Sequence, residues 1–175
     1  MEESLEREYS RCKRSDEMLG LLMLDIDHFK SYNDNHGHDV GDMIIAEVAN
    51  LMQSRLRKSD IACRYGGEEF ILILPGAAMH ILEQRAEEIR ADIGNLNVSY
   101  NNKTLKGITV SIGVSAFPIH AQTTETLLKS ADEALYEAKH TGRNKVMIAQ
   151  KVKQRKGQKA VKPAEEFELK KVAQA

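Results

Sequence analysis

Two short apolar runs, each flanked by carboxylates, constrain most strongly what this chain can fold into. The first, LGLLML, is followed directly by Asp25 and Asp27, and the second, FILIL, is preceded directly by Glu68 and Glu69. Consecutive apolar residues put apolar side chains on both faces of a strand. The first strand is therefore predicted to be covered on both sides, and the second has the same buried character.

The rest of the chain alternates between helix and strand patterns. Apolar residues spaced near 3.6 positions predict amphipathic helices at residues 1–16, 39–57, 79–93 and 124–140. Strand-like segments cover residues 19–24, 61–65, 68–74, 97–100, 104–115 and 144–149. A helical turn and a loop at Asn35–Gly37 precede the second long helix. The order βαββαβ, with an extra hairpin, predicts an α+β, ferredoxin-like domain whose central antiparallel sheet is flanked by helices.

Turn residues divide the strands. Gly66 and Gly67 lie between two strand-like runs and predict a tight primed turn, because such a turn needs the positive φ that glycine adopts without strain. A polar NNK turn predicts the second hairpin, between residues 97–100 and 104–115. In a ferredoxin-like sheet the first and third strands are neighbours, about 4.8 Å apart. Asp25 is therefore expected to face Glu68.

The four carboxylates, Asp25, Asp27, Glu68 and Glu69, would then stand near one edge of the sheet. Unpaired carboxylates at close range raise one another's pKa values, and a hard divalent cation removes that conflict. Magnesium is usually held by one or two carboxylates together with substrate phosphates. An ordinary alternative stays open. Side chains alternate along a strand, so Asp27 and one of the two glutamates could be solvated or cap a helix.

Composition narrows the class of protein. With 175 residues, 42% of them hydrophobic, the chain is long enough for one domain, expected at residues 1–150. Residues 151–175 carry eight Lys or Arg against three Glu and predict a charged, flexible tail. Only Cys12 and Cys63 are present, which excludes a disulfide framework and fits a reducing, cytoplasmic setting.

Two classes of partner are not expected. A net charge of −1 gives no indication of nucleic-acid binding. No apolar run approaches the roughly 18–20 residues of a membrane span, so no membrane segment is expected in this chain.

Four separated motifs carry a resemblance to a known family. The strings LDIDHFKSYNDNHGHDVGD, RYGGEEF, SIGVS and ADEALYEAKHTGRNKV follow one another within residues 5–149. In this order they resemble the GGDEF-domain diguanylate cyclases, here in the GGEEF spelling. That family is related in fold to adenylyl cyclase and polymerase palm domains, which agrees with the βαββαβ prediction. The resemblance implies that two GTP molecules are condensed into cyclic di-GMP, with release of two pyrophosphates, across a homodimer in which each domain binds one GTP.

The resemblance also assigns metal and catalytic roles. It implies two magnesium ions per active site, or manganese in their place, held by Asp25, Glu68 and the backbone carbonyl of Ile26. It implies that Glu69 takes part in metal binding or in activating the 3′-hydroxyl of GTP. Asp25, Glu68 and Glu69 are therefore the expected catalytic residues, and which glutamate is the general base stays open.

Contacts to GTP are implied as well. Asn33 and Asp42 match the residues that read guanine: a carboxylate can accept from N1–H and the exocyclic amine, while an amide can read O6 or N3. The expected phosphate contacts are Phe29, Lys30, Gly66, Gly67, Lys139 and Arg143. Without the resemblance, Asn33 is a loop or helix-end residue and Asp42 an exposed helix position. Lys139 and Arg143 would then be only the basic end of a helix.

An RxxD sequence, Arg57 to Asp60, precedes the GGEEF motif, with five residues between Asp60 and Gly66. This spacing resembles the family's inhibitory site, where a dimer of cyclic di-GMP binds away from the catalytic centre and keeps the two half-sites apart. Arg90 on the next helix is the candidate second arginine, although Arg85 shares that helix. The ordinary alternative is a basic helix end followed by an aspartate that starts a turn.

The chain departs from the family pattern in one segment, and two other functions stay open. The usual opening segment, DxLTGLxNRR, is absent ahead of SLEREYSRCKRSD. We expect either a part of a longer protein, with its sensory domain outside this chain, or a lost supporting turn, with folding and GTP binding retained at reduced stability. The chain could instead be a catalytically silent module that binds cyclic di-GMP or GTP, or an enzyme that uses the same carboxylates on one nucleotide. The intact signature favours the cyclase.

Overall fold

The computed structural model of the protein describes residues 1–100, 103–105 and 107–151. The tail expected at residues 151–175 lies outside the described residues, apart from Lys151. The helices are α1 Glu2–Ser15, α2 Phe29–His36, α3 His38–Ser54, α4 Met79–Gly94 and α5 Thr124–His140. The strands are β1 Leu19–Ile26, β2 Ile61–Arg64, β3 Glu69–Pro75, β4 Val98–Tyr100, β5 Lys103–Leu105, β6 Val110–Phe117 and β7 Val146–Ile148.

A five-stranded sheet in the order β2-β3-β1-β6-β7 forms the centre of the described residues. Strand β1 pairs antiparallel with both β3 and β6, β2 pairs antiparallel with β3, and β7 runs parallel to β6. Strands β4 and β5 form a separate hairpin. The predicted α+β class, with a largely antiparallel central sheet, is confirmed. No helix in the described part of the chain is long and apolar enough to cross a membrane.

Strand β1 separates two apolar layers, and all of its residues are buried. Leu22 and Leu24 belong to the layer formed with α3 and α4. Leu21 and Met23, which point the other way, belong to the layer formed with α1 and α5. Successive side chains of a strand alternate between its faces, so a run without polar residues is stable only when both faces are covered. The predicted two-sided burial of this strand is confirmed.

Three element boundaries differ from the sequence prediction. Helix α2 continues through His36, and only Gly37, at φ +89°, separates it from α3, so most of the predicted Asn35–Gly37 loop is helical. The strand predicted at 104–115 is broken at Gly107, whose φ of +79° turns the chain between β5 and β6. Helix α3 ends at Ser54 rather than at residue 57, before the turn of residues 57–60.

The connection between β2 and β3 is longer than predicted. Four residues, Tyr65–Glu68, join the strands, and neither Gly66 nor Gly67 has a positive φ. The predicted two-residue primed turn is therefore wrong. Instead, the guanidinium of Arg64 donates two hydrogen bonds to the Gly67 carbonyl, at 2.7 and 3.0 Å, and these hold the loop against the end of β2.

Helix α5 contacts β6 without any intervening side chain at Gly113. A Cβ atom built there would lie 2.1 Å from the Ala131 carbonyl oxygen and 2.4 Å from the Leu135 backbone nitrogen. At Gly20, on β1, a Cβ atom would meet only side-chain atoms of Leu82. The two buried strand glycines thus differ in what an added methyl group would displace.

We predict that Gly113→Ala lowers the free energy of unfolding by about 1–3 kcal/mol, the usual cost of overpacking. Gly20→Ala, its matched control, should cost less, because the Leu82 side chain can rotate away while the backbone of α5 cannot. Urea unfolding followed by circular dichroism measures both values. Equal losses in the two variants would contradict the direct contact between α5 and β6.

Candidate functional site

The acidic edge of the sheet, formed by Asp25, Glu68 and Glu69, lies where β1 ends and β3 begins. Asp25 pairs directly with Glu69, and Glu68 lies before the first residue of β3. The Ile26 N–H donates to the Glu68 carbonyl at 3.3 Å. The expected pairing of Asp25 with Glu68 is therefore wrong by one residue. Both glutamates nevertheless lie beside the end of β1, as expected.

Asp25 is a buried carboxylate with one close cation. Its side chain is 9% exposed, and Lys139 Nζ from α5 lies 2.7 Å from its Oδ2. Burial raises the pKa of Asp25 above its ordinary value; the Lys139 ammonium opposes that rise, and the charges of Glu68 and Glu69 add to it. The acidic edge therefore carries more negative charge than the single ammonium group neutralises.

Asp27 has a different role from Asp25, although only one residue separates them. It is 2% exposed. Its carboxylate accepts hydrogen bonds from Thr109 Oγ1 at 2.8 Å, Ser111 Oγ at 2.7 Å and the Asn144 backbone N–H at 3.0 Å. It is thus neither solvated nor part of the acidic edge. Asp27 attaches the segment after α5 to the start of β6, and this attachment positions the end of α5 beside β1.

The two basic residues expected at phosphate lie at the end of α5. Lys139 is in the last turn and reaches Asp25, as described above. Arg143 follows Gly142 and is exposed, at φ +55°, and its backbone N–H donates to the Ala138 carbonyl at 3.0 Å. Lys139 therefore lies at the acidic edge, whereas Arg143 lies in the segment that Asp27 holds through Asn144.

The beginning of α2 lies immediately after β1. Phe29 is its first residue and is buried, while Lys30 is exposed. The first backbone N–H groups of a helix have no partner within the helix and carry a partial positive charge, which suits an anion. The expected phosphate-binding segment therefore follows the acidic edge directly in the chain.

Asn33 and Asp42, the expected guanine-reading residues, come from α2 and α3. Asp42 is exposed on α3, and it lies at the rim of a cleft of about 500 Å³ between α3 and β2. Asn33 is half-buried, and its Oδ1 atom is buried without a hydrogen-bond partner among the described residues. The cleft is lined by Asp42, Ile45, Ala46, Ala49, Met52, Gln53, Ala62, Cys63, Arg64 and Phe70.

The site offers oxygen donors but no complete protein metal cage. No group of three or more His, Cys, Asp or Glu side chains within the described residues is arranged to hold a metal ion. The donors present at the acidic edge are carboxylates and backbone carbonyls, and the side chain of Ile26 is in the core, so only its backbone could contribute. This donor set fits magnesium, which usually completes its coordination with waters and substrate phosphates.

Gly67 has no steric need to be glycine in this structure. A Cβ atom built at Gly67 would have no neighbour within 4 Å, and one at Gly66 would meet only the carboxylate of Glu69, at 2.8 Å. The fold therefore gives no reason for a glycine at position 67.

A second, basic cleft lies between the C-terminal end of α3 and helix α4. Its volume is about 370 Å³. It is lined by Ser54, Arg55, Arg57, Ile81, Gln84, Arg85, Glu88 and Ile89. Asp60 is beside it: the Asp60 carboxylate accepts from the Arg57 backbone N–H at 2.9 Å and pairs with Arg85 Nη2 at 2.8 Å. The Asp60 side chain is only 2% exposed.

Arg85, rather than Arg90, is the α4 arginine beside Asp60. The guanidinium of Arg90 instead pairs with Glu87 at 2.8 Å and donates to Asn144 Oδ1 at 2.6 Å. The two arginines are five positions apart on α4, so they leave the helix in different directions. Arg57 and Asp60 are thus brought together as expected, and Arg90 is not brought to them.

A sequence model of the family described as "Diguanylate cyclase, GGDEF domain" matches residues 1–145. The chain belongs to the GGDEF domain family. The predicted resemblance is therefore confirmed.

Named relatives and solved structures agree with this family. The GGDEF domain is 41% identical over 133 residues to Diguanylate cyclase A of Treponema denticola, covering 76% of this chain and 36% of that protein. It is 44% identical over 127 residues to the response regulator PleD of Caulobacter vibrioides, covering 72% of this chain and 28% of that protein. The chain thus spans well under half the length of these relatives.

Two solved structures have the same fold. The GGDEF domain of DgcB from Caulobacter crescentus, solved in complex with c-di-GMP, matches with a TM-score of 0.80 and 34% identity, covering 84% of this chain and 86% of that one. The active GGEEF domain of a diguanylate cyclase from Vibrio cholerae matches with a TM-score of 0.77 and 32% identity, covering 84% and 92%.

Several residues that build the site of this GGDEF domain were not predicted from the sequence. Arg64, which holds the GGEEF loop, stands two residues before that motif, but its contact with a backbone carbonyl leaves no sequence pattern. Thr109 and Ser111 did leave a signal: two polar residues at positions i and i+2 lie at the start of the largely apolar strand β6. Residues at this spacing share a face, so they were candidates for a common buried partner.

We predict that Asp27→Ala lowers the free energy of unfolding of the GGDEF domain by about 3 kcal/mol, because it leaves buried donors without their charged acceptor. Asp132→Ala, at an exposed position of α5, is the control and should change this value by less than about 0.5 kcal/mol. Chemical denaturation measures both. Equal effects of the two substitutions would show that Asp27 does not hold the α5 segment.

Proposed function

We propose that this domain is a diguanylate cyclase, which condenses two GTP molecules into cyclic di-GMP and releases two pyrophosphates. The observation that carries the proposal is the acidic edge, where the buried Asp25 carboxylate stands opposite Glu69 of an intact GGEEF motif. Similarity to relatives named diguanylate cyclase supports it. For any longer protein that contains this domain, the same activity is also a proposal.

The residues that we expect to hold two Mg²⁺ ions, or Mn²⁺ in their place, are Asp25, Glu68 and the carbonyl of Ile26. The arrangement of charges supports this assignment, because three carboxylates at this edge face one ammonium group, that of Lys139, and an additional cation would balance the remaining charge. Bound magnesium would supply positive charge to the phosphates and ease loss of the hydroxyl proton. We assign to Glu69, which is half-buried beside Asp25, acceptance of that proton from the 3′-hydroxyl.

Phosphate binding is assigned to the groups at the end of β1 and of α5. The N–H groups at the start of α2, with Phe29 and Lys30, and the backbone of Gly66 and Gly67 would contact the triphosphate. Lys139 and Arg143 would contact it from α5. Lys139 is 28% exposed while it neutralises Asp25, so its ammonium remains accessible to a phosphate oxygen.

Guanine recognition is assigned to Asn33 and Asp42. Asp42 is exposed at the rim of the α3–β2 cleft, where its carboxylate is free to accept from the N1–H and amine of guanine. Adenine lacks this pair of donors, so the assignment predicts a preference for GTP.

Condensation needs two copies of the domain. Each domain holds one GTP, and the 3′-oxygen of each attacks the α-phosphate of the other; pyrophosphate leaves as the new ester bond forms. A homodimer is therefore proposed as the active form, brought together by a sensory domain outside this chain. We further propose a cytoplasmic location, which suits the free thiols of Cys12 and Cys63 and gives access to GTP.

The test is incubation of the purified chain with GTP and Mg²⁺, with and without a chelator, followed by chromatography of the nucleotides. We predict cyclic di-GMP in the presence of metal, and a rate at least about 100-fold lower for Glu68→Ala and Glu69→Ala, because each removes a carboxylate required in the reaction. The matched control is Glu133→Ala on α5, whose side chain is 67% exposed. It should retain the original rate.

Two other results of this experiment would each indicate one of the two alternative functions. Tight binding of cyclic di-GMP or GTP without any turnover, even when two copies are held together by a fused dimeric partner, would indicate a silent binding module. Formation of cyclic GMP would indicate an enzyme that acts on a single nucleotide. Either result would overturn the proposed condensation.

We also propose that cyclic di-GMP inhibits the domain at the basic cleft formed by Arg55, Arg57 and Arg85 with Asp60. Three guanidinium groups line this cleft or its edge, and such groups bind phosphate and guanine edges and stack on bases. The DgcB domain, a structural neighbour, was solved in complex with c-di-GMP. Because Arg85 pairs with Asp60, we assign Arg85 rather than Arg90 as the second arginine of the site.

We predict that Arg57→Ala raises the concentration of cyclic di-GMP needed for half-inhibition by at least about tenfold, which corresponds to about 1.4 kcal/mol. Arg85→Ala should do the same, while Arg90→Ala should leave it unchanged, because Arg90 lies with Glu87 and Asn144. Initial rates at increasing product concentration measure the effect. Unchanged inhibition in Arg57→Ala, or a loss in Arg90→Ala alone, would contradict the assignment.

A further inference from the structure

Gly41, the fourth residue of α3, lies in close contact with the side chain of Asn33. A Cβ atom built at Gly41 would lie 1.9 Å from Asn33 Oδ1, 2.9 Å from Asn33 Cγ and 3.0 Å from Cζ of Phe29. Gly41 is buried, and its φ is not positive. Its backbone conformation is therefore open to any residue, and alanine is ordinarily the better helix former. The close approach of Asn33 is what requires glycine here.

The orientation of the Asn33 amide follows from the same contact. Its Oδ1 atom faces Gly41, is buried, and has no hydrogen-bond partner within the described residues. Within the described residues, Asn33 Nδ2 makes no hydrogen bond and is not among the buried atoms that lack one, so the donor end of the amide is accessible from solvent. An amide held in this way can donate to the O6 or N3 acceptor of guanine.

We infer that Gly41 is a positioning residue for guanine recognition and acts through Asn33. The missing side chain leaves room for the amide oxygen against α3, and this position of the amide leaves its nitrogen accessible to the base. Gly41 itself has no group that could read the base, and it directly precedes Asp42, the other proposed guanine contact. This inference rests on the proposed function, because it takes Asn33 to contact the nucleotide.

An added methyl group should impair base recognition rather than folding. The nearest atom in its way is the terminal oxygen of a side chain, which can rotate, and not the backbone. The substitution Gly41→Ala should therefore move the amide and weaken guanine binding about tenfold, the factor expected for loss of one hydrogen bond. Binding of an adenine nucleotide should change much less, so the preference for guanine should fall by a similar factor.

A double-mutant cycle on the full chain tests the inference. Calorimetry measures the Kd of α,β-methylene GTP and α,β-methylene ATP, which cannot release pyrophosphate, for the original chain, Gly41→Ala, Asn33→Ala and the double variant. If Gly41 acts through Asn33, adding Gly41→Ala to Asn33→Ala should cause no further loss of guanine affinity. The control Gly94→Ala changes a helical glycine whose Cβ would meet nothing within 4 Å, and it should bind like the original chain.

Steady-state rates add a readout that a general loss of structure would not produce. Gly41→Ala should raise KM for GTP while kcat at saturating GTP stays within about twofold, because the groups at the acidic edge are unchanged. The thermal midpoint, measured by circular dichroism, should stay close to that of the original chain. If Gly41→Ala does not fold, the double variant should fold, since Asn33→Ala removes the obstructed amide.

Failure of the inference about Gly41 can be distinguished from failure of the proposed function. Guanine binding by the original chain, with the same loss from Gly41→Ala in the presence and in the absence of Asn33, would overturn the role of Gly41 and leave the proposed function intact. No binding of α,β-methylene GTP by the original chain, together with no turnover of GTP, would overturn both.

Discussion

The pairing of β1 with β3 on one side and β6 on the other is the constraint on which the rest of the structure depends. Because both edges and both faces of β1 are occupied, no residue within the strand can be polar without a buried partner. Charge can enter only where the strand ends. Asp25 and Asp27 lie at that end, and everything proposed for catalysis is built around the point where β1 leaves the sheet.

The two aspartates divide the work of structure and of chemistry between them. Asp27 has its oxygens satisfied by β6 and by the segment after α5, so it fixes where α5 ends. Asp25 has one ammonium partner and two neighbouring glutamates, so its charge is incompletely balanced. A buried carboxylate in that state is costly for the free protein, and a bound cation lowers the cost. Asp27 thereby helps to hold Lys139 in place, and Lys139 neutralises Asp25.

Patterns of local sequence predicted the elements well, while contacts across the sheet were harder to predict. Two-sided burial of β1 followed from its unbroken apolar run, and the positions of α4 and α5 followed from their helical period. The partner of Asp25 was predicted one residue off, because β1 and β3 are not joined by a turn, so no local sequence pattern decides their register.

Long side chains account for the other differences. Arg85 and Arg90 have similar surroundings in the sequence, and only the packing of α4 decides which of them reaches Asp60. The same holds for Arg64, whose partner is a backbone carbonyl in the next loop. Gly41 differs from these arginines, because it is a small residue rather than a long one. The sequence shows a glycine within a helix, but the contact with α2 that requires it is seen only in the structure.

The proposed regulatory cleft and the proposed active site are joined by a short, rigid path. Asp60 directly precedes β2, β2 pairs along its whole length with β3, and Arg64 at the end of β2 holds the GGEEF loop. A ligand in the cleft could distort the loop only by disrupting this pairing, which would also disturb the strand beside β1. Deforming a packed sheet costs far more than reorienting whole domains that touch at their surfaces. The proposed inhibition would therefore act on how two domains face each other and leave each half-site intact.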